Sequence, residues 1–118
     1  QRAAELVRGG YLDDVHFGWA EALRVKYRQD YFQVLRKLAR SALARWDSPQ
    51  ARDLARRLLA MEPLDEAAHR IVIQSLLAED RRAEALAQYR YCADLLQREL
   101  GLQPSPETTA LVGRAVRR

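Results

Sequence analysis

Apolar residues recur along this chain at intervals of three and four, and no segment alternates apolar with polar positions over a sustained run. That period predicts amphipathic helices and leaves no half-buried strand. From Trp19 to Trp46 the pattern continues without Gly or Pro, and its apolar positions are Trp19, Leu23, Tyr27, Tyr31, Val34, Leu35, Leu38, Ala42 and Leu43. The spacing predicts one long helix that either packs against several neighbours or carries a kink. Upstream, residues 2–8 read as a short helix ended by Gly9 and Gly10, and Tyr11–Asp14 as a loop in which Asp14 caps the long helix.

Asp47-Ser48-Pro49 breaks the long pattern and restarts it. Ser48 takes the N-cap position and Pro49 the first helical position, where a missing N–H does no harm. The helix to Met61 turns Ala51, Leu54, Ala55, Leu58 and Leu59 inward and Arg52, Arg56 and Arg57 outward. Pro63 ends it, and Asp65 is placed to cap a helix carrying Ala68, Ile71, Val72, Ser75, Leu76 and Ala78. Glu79-Asp80-Arg81 is the turn into a helix carrying Ala85, Leu86, Tyr89, Cys92, Ala93, Leu96 and Leu100. Gly101 closes that helix as a residue free to take positive φ. Ser105-Pro106 then caps a last helix running to about Val116. The expectation is an all-α chain of about six helices.

A shift of 34 residues aligns 32–65 with 66–99, each reading helix, polar turn, helix. Ala51 falls on Ala85, Leu38 on Val72, Ala39 on Ile73, Leu43 on Leu77, Ala44 on Ala78 and Leu58 on Cys92. That period, with a small residue opening the second helix, is the tetratricopeptide-type signature. Two degenerate repeats with flanking helices that cap their ends are expected. In such a stack one helix of each pair faces a shared groove. Gln33, Arg36 and Arg40 on the first such helix, and Arg70 and Gln74 on the second, fall on that face at matching positions. Guanidinium groups pair with carboxylates through two parallel hydrogen bonds, so these five residues form the candidate partner-binding groove, with an acidic peptide as the chemistry it suits.

Composition narrows the class. With 118 residues the chain reads as one domain, and 31% charged with 48% hydrophobic residues is a globular balance. A net charge of +4 is too small to establish nucleic-acid binding without a focused patch. The lone cysteine, Cys92, rules out an internal disulfide or a cysteine-rich metal site. No apolar run approaches membrane length and no leader pattern opens the chain, so a cytoplasmic setting is expected. The sequence begins at Gln1 inside a helical pattern and reads as part of a larger protein.

The segments RRLL at Arg56–Leu59, PLDEAAHR at Pro63–Arg70, EALAQY at Glu84–Tyr89 and LQRELGLQPSPET at Leu96–Thr108 resemble the bacterial transcriptional activator domain, the tetratricopeptide-like module of antibiotic-regulatory and related activators. VRGGYLDD at Val7–Asp14 and WAEALR at Trp19–Arg24 also fit, in order, so the resemblance spans almost the whole chain. The ELG-x-x-PSPET closure is its most specific element. A departure is Asp80, where the family tends to have Gly; Asp tolerates the left-handed geometry better than most residues. The resemblance implies a regulatory interaction domain spanning residues 1–118. Its implied partners are a second copy, other domains of the regulator, or RNA polymerase. DNA would be reached through a separate winged-helix domain. Homodimerisation is expected, with Trp19 and Tyr27 on the long helix as the surface.

No residue set points to catalysis or a cofactor. His69 stands three residues after Glu66, a metal-ligating spacing in helix bundles, but the only other histidine is His16, and a structural histidine is the simpler reading. Cys92 occupies a small-residue repeat position. Gly9, Gly10 and Gly101 are helix stops, not a phosphate loop. Tyr27, Tyr31, Phe32, Tyr89 and Tyr91 read as packing aromatics, with Tyr91 exposed. The arginines at 52, 56 and 57, and at 81 and 82, form basic clusters that offer phosphate contacts as an alternative function.

Overall fold

The computed structural model describes the backbone of residues 10–117 and the side chains of residues 18–114. Five helices stand among them: α1 Gly10–Ala44, α2 Ser48–Met61, α3 Glu66–Ala78, α4 Arg82–Leu100 and α5 Pro106–Arg117. The described residues form no strand, so the fold is all-α. The short helix expected over residues 2–8 lies outside the described residues. The chain divides into two compact units, Gln1–Gln33 and Val34–Arg118, and the division falls inside α1.

The start of α1 corrects the sequence reading. Tyr11–Asp14 is not a loop but the first turns of a 35-residue helix that Gly10 opens. Two aspartates cost a helix only fractions of a kcal/mol each, too little to break it without a proline. Its apolar positions divide between core and surface. Leu35, Ala39 and Ala42 are buried, whereas Val34 and Leu38 stay half exposed. In the first unit Trp19, Tyr27 and Tyr31 are exposed, and Phe32 is buried with the Arg28 guanidinium 5.6 Å from its ring centre. Apolar residues occupy two faces of α1, so periodicity alone selects neither.

Within the second unit α3 is the central element, packed against α2, α4 and α5. Ala68, His69, Ile71, Val72, Ile73, Ser75 and Leu76 are all buried, leaving the helix few exposed positions. A helix apolar on most sides belongs inside. Leu54 and Leu58 of α2, Cys92 and Leu96 of α4 and Val112 of α5 complete the core. Ala51, Ala55, Ala68 and Ala85 are also almost fully buried, and their small side chains let helix backbones approach closely.

One cap departs from the expected residue. Asp47, not Ser48, caps α2, accepting from Gln50 N at 3.3 Å, so Pro49 falls one position further in. Asp65 caps α3 as expected, accepting from Ala68 N at 3.1 Å, and Gly101 ends α4 at φ 65°. The α1–α2 and α3–α4 turns are bonded alike at a separation of 34 residues. Trp46 N donates to Leu43 O and Asp80 N to Leu77 O; Asp47 N donates to Ala42 O and Arg81 N to Leu76 O. In both, the residue ending the helix is left-handed: Trp46 at φ 64° and Asp80 at φ 59°. Glycine usually fills that position because a Cβ crowds the following carbonyl.

Candidate functional site

Three polar clusters fix α3 in place, and they decide which charged groups are free to act elsewhere. The first joins α3 to α5. Glu66 Oε2 accepts from Ser105 N at 2.7 Å and from Thr108 Oγ1 at 2.5 Å. Thr108 is fully buried and accepts in turn from Arg70 Nη1 at 3.3 Å. Arg70 also lies 3.7 Å from Glu66 and, through Nε, 3.6 Å from Glu107. The Ser105 hydroxyl meets Thr108 Oγ1 at 3.3 Å, so the Glu66 carboxylate, and not the expected Ser105 side chain alone, serves the start of α5. Burial pushes the Glu66 carboxyl up, but the hydrogen bonds from Thr108 and Ser105 and the charge of Arg70 outweigh it and hold the group below its ordinary value.

The second cluster is around His69, which is buried. Its Nε2–H donates to Pro63 O at 2.8 Å, and its Nδ1 accepts from Gln88 Nε2 at 3.0 Å. This pairing suits a neutral ring, and burial lowers the imidazole pKa further than Pro63 O, Asp65 and Glu66 raise it. Tyr91 leans on the ring at 5.9 Å between centroids. Both nitrogens are engaged by the protein, which leaves no lone pair for a metal, and no group of three or more metal-ligating side chains gathers among the described residues.

The third cluster revises the expected solvent-facing Arg52. Only 8% of it is exposed. Its Nη1 donates to Ser75 Oγ at 3.2 Å and lies 3.0 Å from Glu79 Oε1. Glu79 also pairs with Arg81 at 2.9 Å, and Arg81 grips Glu84 through two bonds of 2.8 and 2.6 Å. Arg82 pairs with Asp80 at 3.2 Å, and Arg57 with Asp53 at 3.3 Å. An open depression of 360 Å³ lies over Asp80, Arg81, Arg82, Ala83 and Glu84, where each arginine has a carboxylate beside it. Burial pushes the Cys92 thiol up to about 11, with Glu66 adding to the shift and Arg70 opposing it, so a reactive thiolate is disfavoured there.

These clusters place the five residues of the expected groove. Arg36 Nε donates to Asp65 Oδ2 at 3.0 Å, tying the end of α1 to the cap of α3. Arg70 is held at the α3–α5 joint. Both guanidinium groups are therefore already matched to carboxylates. Arg40 and Gln74 are exposed, and Gln33, in the first unit, is exposed as well. The sequence pattern passes over Thr108, places Ser75 on the apolar stripe of α3 and turns Arg52 toward solvent. Only Ser75 carried a signal, as a polar residue inside an apolar stripe.

The cluster around Glu66 and Thr108 joins the PLDEAAHR segment to the PSPET segment, so the two most distinctive motifs of the sequence are halves of one joint. A family model described as bacterial transcriptional activator domain matches residues 1–116. The chain belongs to that family. Neither a curated protein nor a solved structure matches it. The bacterial transcriptional activator domain is a module of transcription regulators and not an enzyme family. Among the described residues, no helix of this activator domain is long and apolar enough to cross a membrane.

Proposed function

We propose that the domain is a protein–protein interaction module of a bacterial transcriptional regulator and that it joins two copies through α1. The observation behind this reading is the exposed face of α1 in the first unit, where Trp19 is 64% and Tyr27 65% exposed, with Tyr31 four residues further on. Aromatic side chains are the commonest anchors of interfaces, and three on one helix face exceed what single surface residues explain. The two helix–turn–helix halves are read as degenerate tetratricopeptide-type repeats, supported by the duplicated turn bonding at 34 residues. Repeats of this kind bind proteins on their surfaces.

A second reading, an adaptor for acidic peptides, draws support from the exposed Arg40 and Gln74, although Arg36 and Arg70 serve internal carboxylates. Direct nucleic-acid contact has less behind it, because four of the five clustered arginines, Arg52, Arg57, Arg81 and Arg82, are ion-paired, leaving Arg56 without a carboxylate partner among the described residues. Sedimentation velocity of the 118-residue chain over a range of concentrations tests the dimer. A concentration-dependent dimer that Tyr27→Glu converts to monomer supports it; a monomer at high micromolar concentration removes it.

A further inference from the structure

A second stretch of α1, within the second unit, has exposed apolar residues of its own. Between Tyr31 and Trp46 there are four basic residues and no acidic one. Val34, Leu38 and Ser41 follow at intervals of four and three on one face of α1 within the second unit, and Arg45 continues the spacing just past the helix end, its N–H still bonded to Ser41 O at 3.1 Å. Val34 and Leu38 are each 50% exposed, while the buried residues Leu35, Ala39 and Ala42 lie around the helix from them. The Arg45 guanidinium bonds the Ser41 hydroxyl at 3.0 Å, which lays it along that face. Lys37 flanks the stripe and is exposed. Neither Lys37 nor Arg45 pairs with a carboxylate among the described residues, in contrast to Arg52 and Arg57 of α2, Arg70 of α3 and Arg81 of the α3–α4 turn.

Trp46 follows Arg45 directly in the chain; it is 84% exposed and left-handed. A bulky residue in that region is a backbone outlier, and its ring gains little from the fold in return. The equivalent turn uses Asp80, so the turn itself does not need an aromatic ring. Backbone strain with no structural return points to a contact made outside the fold.

We propose that Val34, Lys37, Leu38, Arg45 and Trp46 form a docking surface for an acidic amphipathic helix of a partner protein. The apolar row at i, i+4 offers a ridge for such a helix, Trp46 is its anchor, and Lys37 and Arg45 meet its rim of carboxylates. A second copy docked through the same stripe fits poorly, because residues 32–45 bring cations and no carboxylate from either copy. The inference rests on the reading of the domain as an interaction module and adds the chemistry of one partner.

The test uses fluorescence anisotropy of the 118-residue chain with a labelled designed helix bearing Leu on one stripe and Glu elsewhere. Two control peptides replace Glu by Lys, or Leu by Ser. The expected result is saturable binding of the Leu–Glu peptide alone, weakened by added salt. Trp46→Gly and Leu38→Ser are each expected to weaken it by roughly tenfold or more. Glycine is at ease at φ 64°, so Trp46→Gly keeps the turn, and unchanged helicity and an equal or higher Tm verify this. Equal binding by wild type and Trp46→Gly overturns the proposal, as does equal binding of the Lys peptide. Displacement of the peptide by duplex DNA that depends on Trp46 identifies a nucleic-acid surface instead. A dimer that Trp46→Gly dissolves identifies an interface between copies. If the acidic peptide fails while Tyr27→Glu still abolishes a dimer, this inference falls and the interaction module stands.

Discussion

Removing the Glu66 carboxylate is expected to loosen α5 from the rest of the second unit. Glu66 accepts from Ser105 N and Thr108 Oγ1 at 2.7 and 2.5 Å, and Arg70 stands 3.7 Å away. Hydrogen bonds to a charged acceptor contribute roughly 1.5–3 kcal/mol each. Glu66 retains 23% of its side-chain surface, so water replaces part of what is lost, and Glu66→Ala is expected to cost ~2 kcal/mol. At roughly 4 °C per kcal/mol for a domain of this size, Tm falls by about 8 °C. Glu66→Gln keeps one acceptor oxygen and is expected to cost ~1 kcal/mol.

Glu66 also stands in the first turn of α3, where a negative charge favours the helix by itself. A double-mutant cycle with Thr108→Val separates the two effects, because Thr108 lies on α5 and leaves the α3 terminus untouched. Urea unfolding followed by circular dichroism is the assay. A coupling of ~1 kcal/mol or more is expected. The pH dependence gives an independent check. The folded pKa of Glu66 lies below the ordinary 4.5, so its contribution is complete above 4.5 and is lost as pH falls through the folded value. Glu66→Gln is expected to flatten that acid limb. A cost under about 0.5 kcal/mol with no coupling to Thr108 refutes the joint.

Other perturbations read the remaining clusters. His69 is neutral in the fold with its pKa below 6.5, so its share of stability is complete above 6.5 and is lost as pH falls through the folded value; His69→Phe is expected to remove that slope from urea midpoints measured at successive pH, and an unchanged slope refutes the assignment. Arg52→Ala is expected to cost ~2 kcal/mol in urea unfolding, since it unmakes bonds to Ser75 and Glu79 and exposes the core beneath the arginine stem; a surface-like cost near zero contradicts its burial. Cys92, fully buried with its thiol pushed up to about 11, is expected to resist alkylation at pH 8 until urea unfolds the domain; rapid labelling of the native chain by iodoacetamide contradicts this.

The helices of the second unit were legible because their signals are local. Asp65 capping α3, Gly101 ending α4 and Pro106 opening α5 each depend on one residue and its immediate neighbours. The apolar positions of α2 were legible for the same reason: Ala51, Leu54, Ala55 and Leu58 sit on a single stripe, and all four are buried. In α1 two apolar stripes compete, and the one that won is built partly from alanines, whose value lies in the close approach they permit and not in their own hydrophobicity. Arg36, Arg52 and Arg70 mark a different boundary. Each looked like a solvent-facing cation because helical position is a local property. Each is instead fixed by a carboxylate or hydroxyl well away in sequence: Asp65, Ser75 with Glu79, and Thr108. A charge available to a partner is one that the fold has not already matched, and that is a tertiary property. By this criterion the stripe of Val34, Lys37, Leu38, Arg45 and Trp46 suits a partner better than Arg36 and Arg70: Lys37 and Arg45 pair with no carboxylate among the described residues, and exposed apolar side chains and a left-handed tryptophan stand close by in the chain.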